Sequence, residues 1–120
     1  MEYGTDVQKN KFLNAMATGD HVWAQGWSEP GAGSDMAAIR TTAVLEDGFF
    51  VINGQKTWSS RAAYADWTFG LFRTDLESER HHGLSFILAP LDLPGITVRP
   101  IPQLDGEPGF AEIYFDDVKV

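Results

Sequence analysis

The run WAQGWSEPGAGSD, Trp23 to Asp35, gathers flat aromatics, hydroxyls and small residues in one short stretch. Its first half alternates, placing Trp23, Gln25 and Trp27 on one face of a strand and Ala24 and Gly26 on the other. Pro30 has no amide hydrogen and biases Glu29 away from helical geometry, so the strand must end at Glu29-Pro30. Gly31-Ala32-Gly33-Ser34-Asp35 follows. Glycines there tolerate positive φ and let a ligand approach the backbone, while free loop amides form a concavity suited to phosphate or pyrophosphate. An ordinary strand end and turn would account for the glycines alone. Aromatics one strand upstream, with Ser28 and Ser34 bracketing the loop, point instead to a nucleotide carrying a planar ring.

A second stretch, Asn53 to Ser60 (NGQKTWSS), places Trp58 and two hydroxyls, Ser59 and Ser60, just after an Asn-Gly dipeptide. A lone tryptophan belongs more often to a core than to a ligand platform. Beside the first stretch, the platform reading gains. Other constellations carry less. His81-His82 in a polar loop reads as solvated rather than metal-ligating, and His21 has no carboxylate or second histidine nearby in sequence. Ser34 lacks the G-x-S-x-G context of a hydrolase nucleophile. The Gly-rich loop has neither a P-loop lysine nor a βαβ setting.

The elements that position these residues read mainly as strands. Thr5 to Met16 is expected to form one short helix, capped by Thr5 or Asp6, with Val7, Phe12, Leu13 and Met16 marking an apolar stripe and Thr18-Gly19-Asp20 ending it. Thr41–Leu45 and Phe49–Ile52 flank a hairpin signal at Glu46-Asp47-Gly48. Asn53-Gly54 is expected to turn the chain again, with Gln55–Arg61 running back. Asp66–Arg73, Gly83–Ala89, Ile96–Ile101 and Phe110–Phe115 complete the set. The pattern predicts an all-β fold, a small closed barrel or orthogonal sandwich of about seven or eight mostly antiparallel strands with a short N-terminal helix. Residues 1–120 are expected to form one domain, with 1–19 a helical lead-in and 20–120 the barrel. Trp23, Phe50, Ile52, Phe69, Leu71, Phe86, Leu88, Val98, Ile113 and Phe115 are expected to be buried.

Bulk properties narrow the function. A length of 120 residues suits one modest core. The formal net charge of −8 argues against binding nucleic acid or an anionic membrane. It leaves phosphate ligands open, because backbone amides need no cationic surface. Cysteine is absent, which excludes disulfides, thiolate chemistry and cysteine-ligated metal. No apolar run approaches the ~20 residues of a membrane span. The first residues carry acids and no apolar core segment of a secretory signal, so a cytoplasmic setting is expected.

Together the two stretches resemble the paired signatures of the acyl-CoA dehydrogenase family, T/S-EP-x-A-GSD and NG-x-K-x-W-x-T/S. Tyr64-Ala65-Asp66-Trp67, Leu71-Phe72-Arg73-Thr74, Pro94-Gly95-Ile96 and Phe115 to Val120 match in the same order. The resemblance runs from about Tyr3 to the end, and two separated motifs in register make it specific. It is to the middle domain, a β-barrel lying between two helical domains. Gln25 and the Ser-Glu-Pro form point toward the bacterial branch.

The resemblance implies a role in α,β-dehydrogenation of an acyl-CoA thioester with FAD as cofactor. By motif position, Gln25, Trp27 and Ser28 would meet the isoalloxazine. Gly33 and Ser34 would lie at the pyrophosphate, with Ser34 also near the acyl-CoA substrate. Trp58 would pack on the ring, Ser59 would line the pocket through its backbone, and Ser60 would present a hydroxyl to flavin N5. Ser60 departs from the threonine of many members, which loosens its χ1 preference. The family's carboxylate base matches nothing here, and Glu29, Asp47, Asp116 and Asp117 read as loop, turn or strand-end residues. The chain alone is therefore expected to hold FAD weakly or not at all and to be inactive, with helical domains or other subunits covering its flavin face. The competing expectation is a free-standing β-barrel binding or assembly module that has lost the redox role.

Overall fold

Helix α1 (Asp6–Thr18) starts where the sequence says it should. Thr5 Oγ1 accepts the Gln8 amide, and the Gln8 side chain returns a bond to the Thr5 amide. Gly19, at φ +79°, closes the helix in the left-handed conformation. The expected stripe does not form a docking face. Phe12 alone is buried, edge-on to Trp23 and Trp67 with ring centroids 5.3 and 4.9 Å away, while Val7 and Met16 stay exposed.

The computed structural model describes residues 3–120, and these form one seven-stranded sheet after the helix. The strands are β1 (Trp23–Gly26), β2 (Thr42–Glu46), β3 (Phe49–Ser60), β4 (Trp67–Arg73), β5 (Leu84–Pro90), β6 (Ile96–Ile101) and β7 (Phe110–Lys119). Their order is β1-β4-β2-β3-β7-β6, with β5 also on β4. Pairing is antiparallel except for β1 on β4 and the single β2–β4 pair Thr42–Arg73. The sheet curls into a half-barrel around Ala43, Ile52, Phe72, Ile113, Phe115 and Val118.

Asn53-Gly54 is not a turn. β3 runs through it as one strand of 12 residues, paired with β7 on both sides of a register shift between Ile52 and Gly54. The dipeptide that favours a hairpin also favours a bulge, and a long partner strand decides between them. Glycine is required there: φ is +137°, and a Cβ would come within 2.9 Å of Thr41 Cα. Asn53 bonds Asp117 in both directions, pinning the bulge to β7.

Burial in β4 and β5 has the opposite parity to that expected at four positions, Phe69, Leu71, Phe86 and Leu88. Thr68, Gly70 and Phe72 point inward, so Phe69 and Leu71 lie on the outer face and are only half-buried. Phe86 is 56% exposed and stacks on Phe69 outside the core. A strand apolar on both faces gives no period-2 signal by which to choose. Of the remaining expected core, Ile52, Ile113 and Phe115 are buried, while Trp23, Phe50 and Val98, like Leu88, are half-buried.

Candidate functional site

The two signature segments are one structural unit. β1 carries Trp23, Gln25 and then Trp27 outward, and Ala24 and Gly26 inward. Gly26 stands opposite Gly70 of β4, and a Cβ on Gly26 would come 2.9 Å from Thr68 Oγ1 and 3.7 Å from Lys56 Cγ. The small residues on this inner face leave a channel. The stem of Lys56, arriving from β3, fills it.

Lys56 is fully buried. Its ammonium lies 2.9 Å from Glu29 Oε1 and donates to the carbonyls of Trp27, at 3.3 Å, and Leu71. All three ammonium protons therefore have acceptors, which a buried lysine requires. Glu29 is as fully engaged. Oε1 also accepts the Thr41 amide at 3.0 Å, and Oε2 accepts the Arg40 amide at 2.7 Å. Burial by itself raises the Glu29 carboxyl, but the Thr41 side chain, Lys56 and the Arg40 amide outweigh it and hold the group below its ordinary 4.5. Burial lowers the Lys56 ammonium from its ordinary 10.5, against the opposing pull of Glu29. Glu29 is thus committed to structure and is not free to act as a base.

Just beyond Lys56 the strand leaves its ladder. The β3–β7 register shifts between Lys56 and Ser59, and the Thr57 amide donates instead to Ser28 O at 2.8 Å. Trp58 sits in the bulge at φ +56°, a left-handed conformation that costs a bulky residue ~1–2 kcal/mol. The bulge turns its ring outward, 60% exposed and edge-on to Phe110. Ser60 is exposed beside it. Trp27 and Ser28 are half-buried across the Ser28–Thr57 bond, and Gln25 is exposed on the same run.

Four buried side-chain polar atoms have no partner among the described residues: Trp27 Nε1 and Ser59 Oγ here, and Trp23 Nε1 and His21 Nδ1 in the aromatic cluster with Phe12 and Trp67. Such groups are rare in folded proteins and call for an explanation. Gly33 and Ser34 lie farther along the loop, exposed, with no hydrogen bond from either amide to the described residues. Neither Gly31 nor Gly33 takes a positive φ, and a Cβ on either would meet nothing within 4 Å. Neither turn geometry nor internal packing requires glycine there. Asp35, next in the chain, lies 3.7 Å from Arg80 of the loop that follows β4. His81 and His82 are exposed in that loop.

Two open hollows lie nearby, one of about 420 Å³ beside Val22, Arg61, Tyr64 and Pro108, the other of about 340 Å³ beside Glu29, Gly31, Arg40 and Gln55. Neither is lined by Trp27, Trp58 or Ser60. The outward aromatics stand on an open face rather than in an enclosed cavity.

Residues 24–118 match the family described as acyl-CoA dehydrogenase, middle domain. The chain belongs to the acyl-CoA dehydrogenase family. It is 49% identical to acyl-CoA dehydrogenase IpdE1 of Mycobacterium tuberculosis over 98% of its own length and 30% of that protein's. Acyl-CoA dehydrogenase FadE34 of the same organism is 42% identical over the whole chain, which covers 17% of it. The solved structure of the Tcur3481–Tcur3483 steroid ACAD superposes with a TM-score of 0.94 at 40% identity, over all of this chain and 31% of that one. The ChsE4–ChsE5 complex of Mycobacterium tuberculosis gives 0.91 at 42% identity, over 98% and 30%. The chain thus spans less than a third of these relatives. It corresponds to the middle domain of an acyl-CoA dehydrogenase.

Sequence reasoning missed Lys56 and underrated Glu29. A signal was present: a lysine two residues before a tryptophan in an otherwise uncharged strand, and glycines at 26 and 70 with no turn to make.

Proposed function

We propose that this chain is the FAD- and acyl-CoA-contacting middle domain of an acyl-CoA dehydrogenase, acting in α,β-dehydrogenation of an acyl-CoA thioester. The observation that carries the proposal is the Ser28–Thr57 hydrogen bond, which brings Trp27 and Ser28 alongside Trp58, Ser59 and Ser60. A strained, outward tryptophan, two orphaned buried polar atoms and glycines with open space above them fit a planar ring bearing a pyrophosphate. Gln25, Trp27, Ser28, Trp58, Ser59 and Ser60 would hold the ring, and Gly33 and Ser34 the pyrophosphate through backbone amides, with Ser34 also near the substrate. When bound, the flavin supplies a hydride acceptor. This chain's part is to orient the ring, to offer Ser60 as a hydroxyl donor and to exclude water with its tryptophans.

The proton-abstracting base would come from outside these residues, since Glu29 is committed to Lys56 and two backbone amides. Chemistry then belongs to an assembly in which helical domains or other subunits cover the outer face. Structures at 40–42% identity named as a steroid ACAD and as a two-protein complex favour a bulky ring-bearing acyl group and a second, different subunit. No helix among the described residues is long and apolar enough to cross a membrane.

The test is a fluorescence titration of the chain with FAD, repeated with Trp58→Ala. Weak, saturable quenching is expected, in the micromolar range or beyond, because each 1.4 kcal/mol of missing contact weakens binding tenfold. Trp58→Ala should weaken it further. Acyl-CoA, FAD and an artificial acceptor should give no turnover with this chain alone. A chain that binds no FAD but captures protein partners through the Trp58 face would favour an assembly module instead.

A further inference from the structure

Every proton on Lys56 and three acceptor positions on Glu29 are used to join elements that no backbone ladder joins. Lys56 reaches from β3 to the end of β1 through the Trp27 carbonyl and to β4 through the Leu71 carbonyl. Glu29 draws the loop after β1 onto the start of β2 through the Arg40 and Thr41 amides. β1 itself is ladder-bonded only to β4, and the loop after Gly26 leaves even that strand. Apart from Glu29–Ala32 within the loop and the one Thr57–Ser28 bond, this segment has no backbone–backbone hydrogen bond to the described residues until Asp35. The ion pair, with side chains 0% and 6% exposed, is made by the chain neighbours of that bond, Lys56 next to Thr57 and Glu29 next to Ser28.

A buried ion pair is poor evidence of stability, because desolvation offsets most of its attraction, and apolar residues of similar volume are often equally stable. What apolar residues cannot do is donate to Trp27 O and Leu71 O or accept from Arg40 and Thr41. We infer that Lys56 and Glu29 are positioning residues. They form an internal clamp that fixes the Trp27–Ser28 segment against the Thr57–Ser59 bulge and thereby sets how Trp27 and Trp58 stand relative to one another on the open face. That this face receives a flavin rests on the reading above; the clamp itself does not.

The two roles separate in the variant Glu29→Gln with Lys56→Met, which keeps volume and removes both charges. A purely stabilising pair would change Tm and amide protection throughout. A clamp loosens one place. Hydrogen exchange by NMR on the FAD-free chain is expected to show a Tm close to the parent. The Thr57 amide, whose acceptor Ser28 O is untouched, should exchange about tenfold or more faster, in line with opening of one local unit. Amides along the β6–β7 ladder should keep parental rates. Unchanged Thr57 protection, or a uniform fall across the ladders, would overturn the inference. Should the double variant not fold, Glu29→Asp, which keeps the charge but withdraws the carboxylate by one methylene, must show the same selective loss at Thr57. In a parallel FAD titration, the clamp variant should bind at least tenfold more weakly wherever the parent binds. A parent that binds no FAD removes the flavin reading and leaves the clamp to be judged by exchange.

Discussion

Lys56 Nζ stands 2.9 Å from Glu29 Oε1, with both side chains nearly or wholly shut off from water. The two residues lie 27 positions apart, one in each signature segment. Their separation in sequence and contact in space make two motifs into a single site. Breaking the pair from one side leaves a buried charge with no counterion. Glu29→Gln should therefore cost ~3–5 kcal/mol, measured by urea denaturation at neutral pH. A loss below ~1 kcal/mol would show that Lys56 is neutral or solvated in the native chain.

Acid should weaken the fold through the same residue. Glu29 titrates below its ordinary 4.5 when folded, so the folded chain binds fewer protons than the unfolded one between 4.5 and that lower value. Its contribution is complete above about pH 4.5 and is lost as pH falls through the folded pKa. The difference in Tm between the parent and the Glu29→Gln, Lys56→Met variant should accordingly shift against the parent as pH drops below 4.5. A difference that stays flat from pH 6 to pH 3 would contradict the assigned ion pair.

Phe72 and Phe86 offer a comparison across the sheet. Phe72 is 0% exposed and edge-on to Phe115, with Lys56 Nζ 5.0 Å from its ring centroid; Phe86 is 56% exposed. Phe72→Ala should cost ~3–5 kcal/mol and Phe86→Ala no more than ~1 kcal/mol. Thermal denaturation of both variants decides it, and equal losses would mean the outer face is packed in solution.

Trp58 carries opposing terms. Its left-handed backbone costs ~1–2 kcal/mol, while its edge contact with Phe110 returns ~0.5–1.5 kcal/mol. Trp58→Gly should thus leave stability within ~1 kcal/mol of the parent while weakening FAD binding. A large destabilisation would make Trp58 a packing residue rather than a ligand platform.

The sequence was most legible where one local rule operates. The Thr5 cap, Gly19 and the Glu46–Gly48 turn came from short-range chemistry and hold, whereas β1 ends at Gly26, ahead of the expected stop at Glu29-Pro30. It was least legible where a distant strand arbitrates. Asn53-Gly54 is a bulge because β7 pairs on both sides of it, and Phe72 rather than Phe69 or Leu71 is inside because Lys56 and Phe115 meet it there. Lys56 was the least readable of the site residues. A buried lysine is stable only when three acceptors converge, and those come from two distant parts of the chain, the loop at Trp27 and Glu29 and the strand at Leu71.

The central claim is that the face carried by β1, the loop after it and the β3 bulge receives a flavin. An FAD titration followed by NMR tests it residue by residue. Saturable shifts are expected at Gln25, Trp27, Ser28, Gly33, Ser34, Trp58, Ser59 and Ser60, including the Trp27 indole N–H that now lacks an acceptor. Shifts confined to β5, β6 or the helix, or none at all up to saturating FAD, would contradict it.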